Sequence, residues 1–132
     1  MIFVDTGVWF ARLVPADPDH ARVKNWFDHN QQPLFTSDYV VDETLTLLRI
    51  RRHPQHAIQF GQFIFERNLV NLEMIDSDRL ARAWRTFHQF ADQNWSFTDC
   101  TSKVLIEELH TTEAAALDAH FKQFGLHTLH PS

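Results

Sequence analysis

The chain has 132 residues, with 12 Lys and Arg against 17 Asp and Glu, a formal net charge of −5 with its 9 histidines neutral. Such a length predicts one domain, residues 1–132, able to hide roughly two-thirds of its unfolded surface. The acidic balance excludes a broad, sequence-blind grip on DNA, which needs a basic face. It leaves room for a nuclease built on clustered carboxylates, whose cations reverse the charge where a phosphate docks. No run of about 18 apolar residues occurs, so no membrane-spanning helix is expected. Met1-Ile2-Phe3-Val4-Asp5 lacks the basic start of a signal peptide. Cys100 is the sole cysteine, which allows no intrachain disulfide and fits a cytoplasmic location. Gly7, Gly61 and Gly125, the only glycines, cannot write a dinucleotide fingerprint or a Walker loop.

Short apolar runs then alternate with helix-length amphipathic segments. Ile2-Phe3-Val4 predicts a strand ending at Asp5, buried as central parallel strands are. Trp9 and Phe10 fall in the helix that follows. Leu34-Phe35-Thr36, introduced by Pro33, predicts a second strand, and Ser37 caps a helix running to about Arg52. Ile58, Phe60, Phe63, Ile64 and Phe65 point nearly all round a further helix, which must then be covered on every side. Val70 to Ile75 alternates in part, as a strand does. Ser77 is the expected N-cap of a helix with Leu80, Trp84, Phe87 and Ala91 on one face. Another helix is expected from near Thr98 to about Leu109. Ala114 to Leu117 predicts a strand ending at Asp118, and His127-Thr128-Leu129 a last one before Pro131. The alternation predicts an α/β domain with a mainly parallel sheet, in which ligands sit beyond the carboxyl ends of the strands.

Three acids stand at such ends or approaches: Asp5 after the first strand, Asp118 after the fourth, and Asp99 at the start of a helix. Glu43 is different. Its helical neighbours Val40 and Leu47 are apolar, so it borders the inward stripe, whereas Asp42 shares a polar face with Thr46 and Arg49 and reads as a solvated acid. An inward acid needs a partner. Two carboxylates about 4 Å apart repel by roughly 4 kcal/mol at an effective dielectric of 20, so a cluster of Asp5, Glu43, Asp99 and Asp118 requires cations. All-oxygen donors favour Mg²⁺ or Mn²⁺, and the matching chemistry is in-line hydrolysis of a phosphodiester. Each acid also has a structural alternative. Asp5 and Asp118 stand where helix caps stand, and Asp99 lies in a first turn, where the dipole favours a carboxylate and Lys103 is four residues on.

Four segments, in this order and spacing, resemble the PIN-domain ribonucleases of the VapC toxin type. They are Met1-Ile2-Phe3-Val4-Asp5-Thr6, Thr36-Ser37-Asp38-Tyr39-Val40-Val41-Asp42-Glu43-Thr44, Ser96-Phe97-Thr98-Asp99-Cys100 and Leu117-Asp118-Ala119-His120-Phe121. The resemblance covers nearly the whole chain. It implies a Rossmann-like sheet of about five parallel strands, a Mg²⁺- or Mn²⁺-dependent endoribonuclease acting on tRNA or rRNA, a cognate antitoxin and a homodimer. In it Asp5 and Asp99 match direct ligands of the main ion. Glu43 and Asp118 match acids acting through water or on a second ion. Thr6 and Thr98 match hydroxyl positions near the site. Two positions depart from the pattern: Gly7 replaces a common Ser or Asn, and Ala119 a common Arg, which weakens the expected grip on phosphate. The alternative is a PIN-like binding module without catalysis. An aspartyl phosphotransferase is disfavoured, because Gly7 stands where its second Asp belongs.

The remaining features have weaker functional claims. His53 and His56, like His127 and His130, have ligand spacing but no cysteine pair beside them. His120 is the one histidine near the proposed acids. Cys100 reads as a packed apolar group. Arg79, Arg82 and Arg85 read as a solvated helix face. Ile58, Phe60, Phe63, Ile64 and Phe65, joined by Trp9 and Phe10, form the expected partner surface for the antitoxin or a second copy.

Overall fold

A computed structural model describes residues 1–125 and 127–129. Five strands, β1 (Ile2–Val4), β2 (Leu34–Ser37), β3 (Asn71–Glu73), β4 (Glu113–Ala115) and β5 (His127–Leu129), form one sheet in the order β3-β2-β1-β4-β5. Every pairing is parallel. The helices are α1 (Thr6–Leu13), α2 (His20–His29), α3 (Asp38–Ile50), α4 (Pro54–Phe65), α5 (Ser77–Gln89), α6 (Phe97–Glu108) and α7 (His120–Gln123). Parallel neighbours need crossovers, and these put helices over the sheet. β1 is central, and its three side chains are fully buried.

The sheet grows from β1 through β2 to β3, then crosses back to lay β4 on the other side of β1. That reversal between β1 and β4 opens a crevice beyond their carboxyl ends. Asp5 leaves β1 there, and Asp118 follows β4. The core beneath is aromatic: Phe3 meets Phe35 edge-on at 5.4 Å and Phe121 at 5.8 Å between ring centroids.

Side-chain caps start three of the helices, α3, α5 and α6. Ser37 caps α3, its side chain accepting from the Val40 N–H at 3.1 Å. The helix ends where Arg52 turns into the left-handed region at φ 64°, and Pro54 opens α4. Ser37→Ala is expected to cost about 1 kcal/mol, read by urea denaturation. A stability equal to wild type would show that tertiary contacts alone hold the start of α3.

Three expectations need correction. Asp76, not Ser77, caps α5, accepting from the Arg79 N–H at 2.9 Å. The face carrying Leu80, Trp84 and Phe87 is not core: Trp84 is 59% exposed, Ala83 is the buried residue of α5, and Ala91 lies beyond its end. The arginines explain how α5 is held instead. Arg79 and Arg82 both pair with Glu108 on α6, and Arg79 also reaches Glu73 at 3.1 Å. Helical spacing made these arginines look solvated; the cations in fact bridge two helices, while Arg85 is exposed. α6 begins at Phe97, near Thr98 as expected, and is capped by Ser96.

Candidate active site

Asp5 continues the β1–β4 pairing, its N–H donating to the Ala115 carbonyl at 3.1 Å. Its own carbonyl accepts from Val8 and Trp9, so its backbone starts α1. Its side chain caps nothing. The helix start therefore needs only the Asp5 backbone, and the carboxylate is left for the crevice at 8% exposure. Burial pushes this carboxyl up to about 7, and the charges of Asp99, Glu43 and Asp118 add to the rise, against a backbone hydrogen bond from Thr6. The three acids thus lie near enough to Asp5 for their charges to act on it.

Glu43 is half-buried on α3 and Asp42 is exposed, as helical periodicity predicts. Asp99 makes a reciprocal capping box with Ser96: Ser96 N–H donates to Asp99 Oδ2, and Asp99 N–H to Ser96 Oγ, each at 3.0 Å. The structural alternative is thus true of one Asp99 oxygen. Lys103 is not its partner, since Lys103 pairs with Glu107. Asp118 lies in the turn between β4 and α7, its Oδ1 accepting the His120 N–H at 3.0 Å. His120 Nδ1 stands 3.1 Å from Asp99 Oδ2 and 3.3 Å from Asp118 Oδ1. Thr98 engages through its carbonyl, which accepts from Thr101 and Ser102.

Ser96 is the residue that sequence reasoning missed. The spacing Ser96-x-x-Asp99 was its signal, a capping box read only as an acid in a first turn.

The donor set suits a hard divalent cation: four carboxylates and a hydroxyl, all oxygen. Thr6 Oγ1, in a residue 6% exposed, has no hydrogen-bond partner among the described residues. A buried orphan hydroxyl beside a buried acid is a polar group short of a partner, which a cation or its water would supply. Among the described residues no three acidic, histidine or cysteine side chains close on one point at ligand distance. Gly7 is not enforced by crowding, since a Cβ there would meet Leu117 at an ordinary 3.9 Å.

The other expected residues divide. Phe10, Phe60 and Ile64 are core, so they are not partner surface: on α4, Phe60 is 1% exposed while Phe65 is 57%. The apolar girdle is half core, because α4 packs one side inward. Ile58 and Phe65 line an open groove between α3 and α4 with Leu45 and Ile50. Trp9 is buried, yet it floors a second groove with Phe27, Phe63, Arg12 and Arg67. His53 packs edge-on against Phe10 and 5.9 Å from His56, with no third ligand among the described residues. His130 and the His127 side chain lie outside the described residues. Cys100 is a buried free thiol, pushed up to about 11 by burial, which fits packing.

A family model described as PIN domain matches residues 2–125. The 23S rRNA-specific endonuclease VapC20 of Mycobacterium tuberculosis is 30% identical over 131 residues, 99% of both chains. A VapC ribonuclease of Archaeoglobus fulgidus is 30% identical over 80% of this chain and 70% of its own. The crystal structure of the mycobacterial VapC20, a sarcin-ricin loop cleaving toxin, superposes with a TM-score of 0.90 at 27% identity, covering 96% of this chain and 97% of that one. FitAcB from Neisseria gonorrhoeae shares the fold, with a TM-score of 0.73 at 17% identity over 99% of this chain and 98% of that one.

Proposed function

The chain belongs to the PIN-domain family of VapC-type ribonuclease toxins, and on that premise we propose that it is a Mg²⁺- or Mn²⁺-dependent endoribonuclease, the toxin half of a toxin–antitoxin pair, acting in the cytoplasm. The observation that carries this reading is the buried Asp5 at the β1/β4 reversal, with Asp99, Glu43 and Asp118 near enough to raise its pKa. Such an arrangement is costly for the fold alone and useful for holding a cation.

Asp5 and Asp99 would hold the ion directly, with Glu43 and Asp118 acting through water or on a second ion. The ion would supply a water of lowered pKa and stabilise charge on the phosphate. The chain's own part is orientation. The strand ends fix Asp5 and the turn bearing Asp118, and the capping box fixes Asp99. Thr6 offers a hydroxyl beside them. In the proposed reaction a water oxygen would bond to the scissile phosphorus in line as the bond from phosphorus to the leaving ribose oxygen breaks, that oxygen taking up a proton from solvent.

The likeness to a 23S rRNA-specific enzyme makes rRNA the first substrate class to test, with tRNA beside it. The antitoxin would silence the site with a basic side chain, since Arg pairs well with clustered carboxylates. The grooves at Ile58 and Phe65 and at Trp9 and Phe63 offer apolar surface for that antitoxin or for a homodimer.

The test is cleavage of a total rRNA and tRNA pool by the purified chain, with Mg²⁺, Mn²⁺ or EDTA. Metal-dependent cutting that EDTA stops is the expected result. A folded chain that cuts nothing and binds no Mn²⁺ would replace this reading with a catalytically inactive PIN-like binding module.

A further inference from the structure

His120 is engaged twice, through its backbone and through its ring, and both contacts go to the acidic crevice. Its N–H donates to Asp118 Oδ1 at 3.0 Å. Its Nδ1 lies between Asp99 Oδ2 and the same Asp118 Oδ1, at 3.1 and 3.3 Å. Carboxylate oxygens accept, so the hydrogen is on Nδ1. Asp99 Oδ2 also takes the Ser96 N–H. Asp99 Oδ2 therefore accepts twice, and Asp118 Oδ1 accepts the His120 N–H with the ring beside it, so the other oxygen of each acid is the one left for a ligand.

The mount that presents the ring is firm although α7 is a single turn. Phe121, fully buried, stacks on Phe3 and packs 5.2 Å from Phe124. Trp95 Nε1 donates to Gln123 Oε1 at 2.8 Å. That second strut ties α7 to the residue just before the cap of α6. Two contacts, Trp95–Gln123 and Asp99–His120, thus lash α7 to the start of the helix that carries Asp99.

We propose that His120 is a positioning residue: by holding Asp99 Oδ2 and Asp118 Oδ1 it presents Asp99 Oδ1 and Asp118 Oδ2 to the cation. The proposal rests on the metal-nuclease reading above. It gives His120 a role in ion affinity separate from any contact with RNA. Partners that orient ligating side chains typically change metal affinity by 10–100-fold when removed.

The experiment measures Mn²⁺ affinity by the electron paramagnetic resonance of free Mn²⁺, for the wild-type chain, His120→Ala and His120→Asn, without RNA. His120→Ala is expected to bind about tenfold more weakly or worse. His120→Asn, whose amide N–H reaches toward the same oxygens, should recover most of that loss. Melting in EDTA, with all three chains folded, separates this from a general loosening of α7. Mn²⁺ bound equally by His120→Ala and wild type would overturn the proposal while leaving the nuclease reading intact. So would an Asn variant as weak as the Ala variant. A wild-type chain that binds no Mn²⁺ would remove the nuclease reading, and the proposal with it.

Discussion

Asp5→Asn is expected to cut RNA at less than about one-hundredth of the wild-type rate, a larger loss than partners that only orient a ligand produce, and in EDTA at neutral pH and above it should melt higher than wild type. The two effects share one cause. Asp5 is buried among acids, and its carboxyl is raised from 3.8 to about 7 by burial first and by Asp99, Glu43 and Asp118 second. Between those values the folded chain keeps a proton that the unfolded chain has already lost. Stability therefore falls as pH rises through that window, and above about 7 the whole penalty is present. Its ceiling is roughly 4 kcal/mol. A neutral amide escapes it while filling nearly the same volume, so a gain of about 1–3 kcal/mol is expected at pH 8, shrinking toward pH 4. Mn²⁺ should raise the melting temperature of wild type and leave Asp5→Asn where it was, because only a state that binds the ion is stabilised by it. Melts from pH 4 to pH 8, with and without Mn²⁺, check all of this. A variant less stable than wild type at every pH would make Asp5 a structural acid.

The strands could be read from the sequence because short apolar runs, or for β3 a partial alternation, stop at polar or turn-forming residues, and parallel pairing follows from the helices between them. Asp5 and Asp118 were placed by the same logic, since strand ends in a parallel sheet define the crevice. Glu43 was separable from Asp42 because helical periodicity distinguishes neighbours that face opposite ways. What periodicity cannot do is say which of two apolar arcs meets the core. Phe60 and Phe65 are five residues apart on one helix, yet the first is buried and the second open to solvent. Trp84 and Phe87 mislead in the same way: α5 is held to α6 by charge, so its aromatic face is left outside. The link from His120 to Asp99 spans 21 residues and depends on where α7 docks, which no local pattern encodes.

Glu108→Gln should cost about 2 kcal/mol at pH 7, or roughly 5–10 °C in melting temperature, the largest stability loss expected from one polar change on α5 or α6. Glu108 ends α6, where the helix dipole disfavours a carboxylate. The hydrogen bonds from Arg79 and Arg82 overcome this and hold its carboxyl down at about 2, against an ordinary 4.5. Arg79 also donates to the Met74 carbonyl at 2.8 Å and reaches Glu73, so one guanidinium joins the end of β3, α5 and α6. Removing the shared acid leaves two partly covered arginines short of a partner, which costs more than the loss of one exposed pair; partial exposure keeps the figure below that of a buried break. A depressed carboxyl stabilises the fold fully above its unfolded pKa, and that stabilisation is lost as pH falls through the folded one. The gap between wild type and Glu108→Gln should therefore be widest above pH 4.5 and close toward pH 2. Asp99 sits nine residues back along the same helix, roughly 13 Å away at 1.5 Å per residue. Mn²⁺ affinity should accordingly stay near wild type while stability drops, the opposite of the result expected for His120→Ala. Urea titrations at pH 7 and pH 3 measure the gap. Equal stability at pH 7, or a gap undiminished at pH 3, would show that the Arg79–Glu108–Arg82 cluster is not what holds α5 to α6.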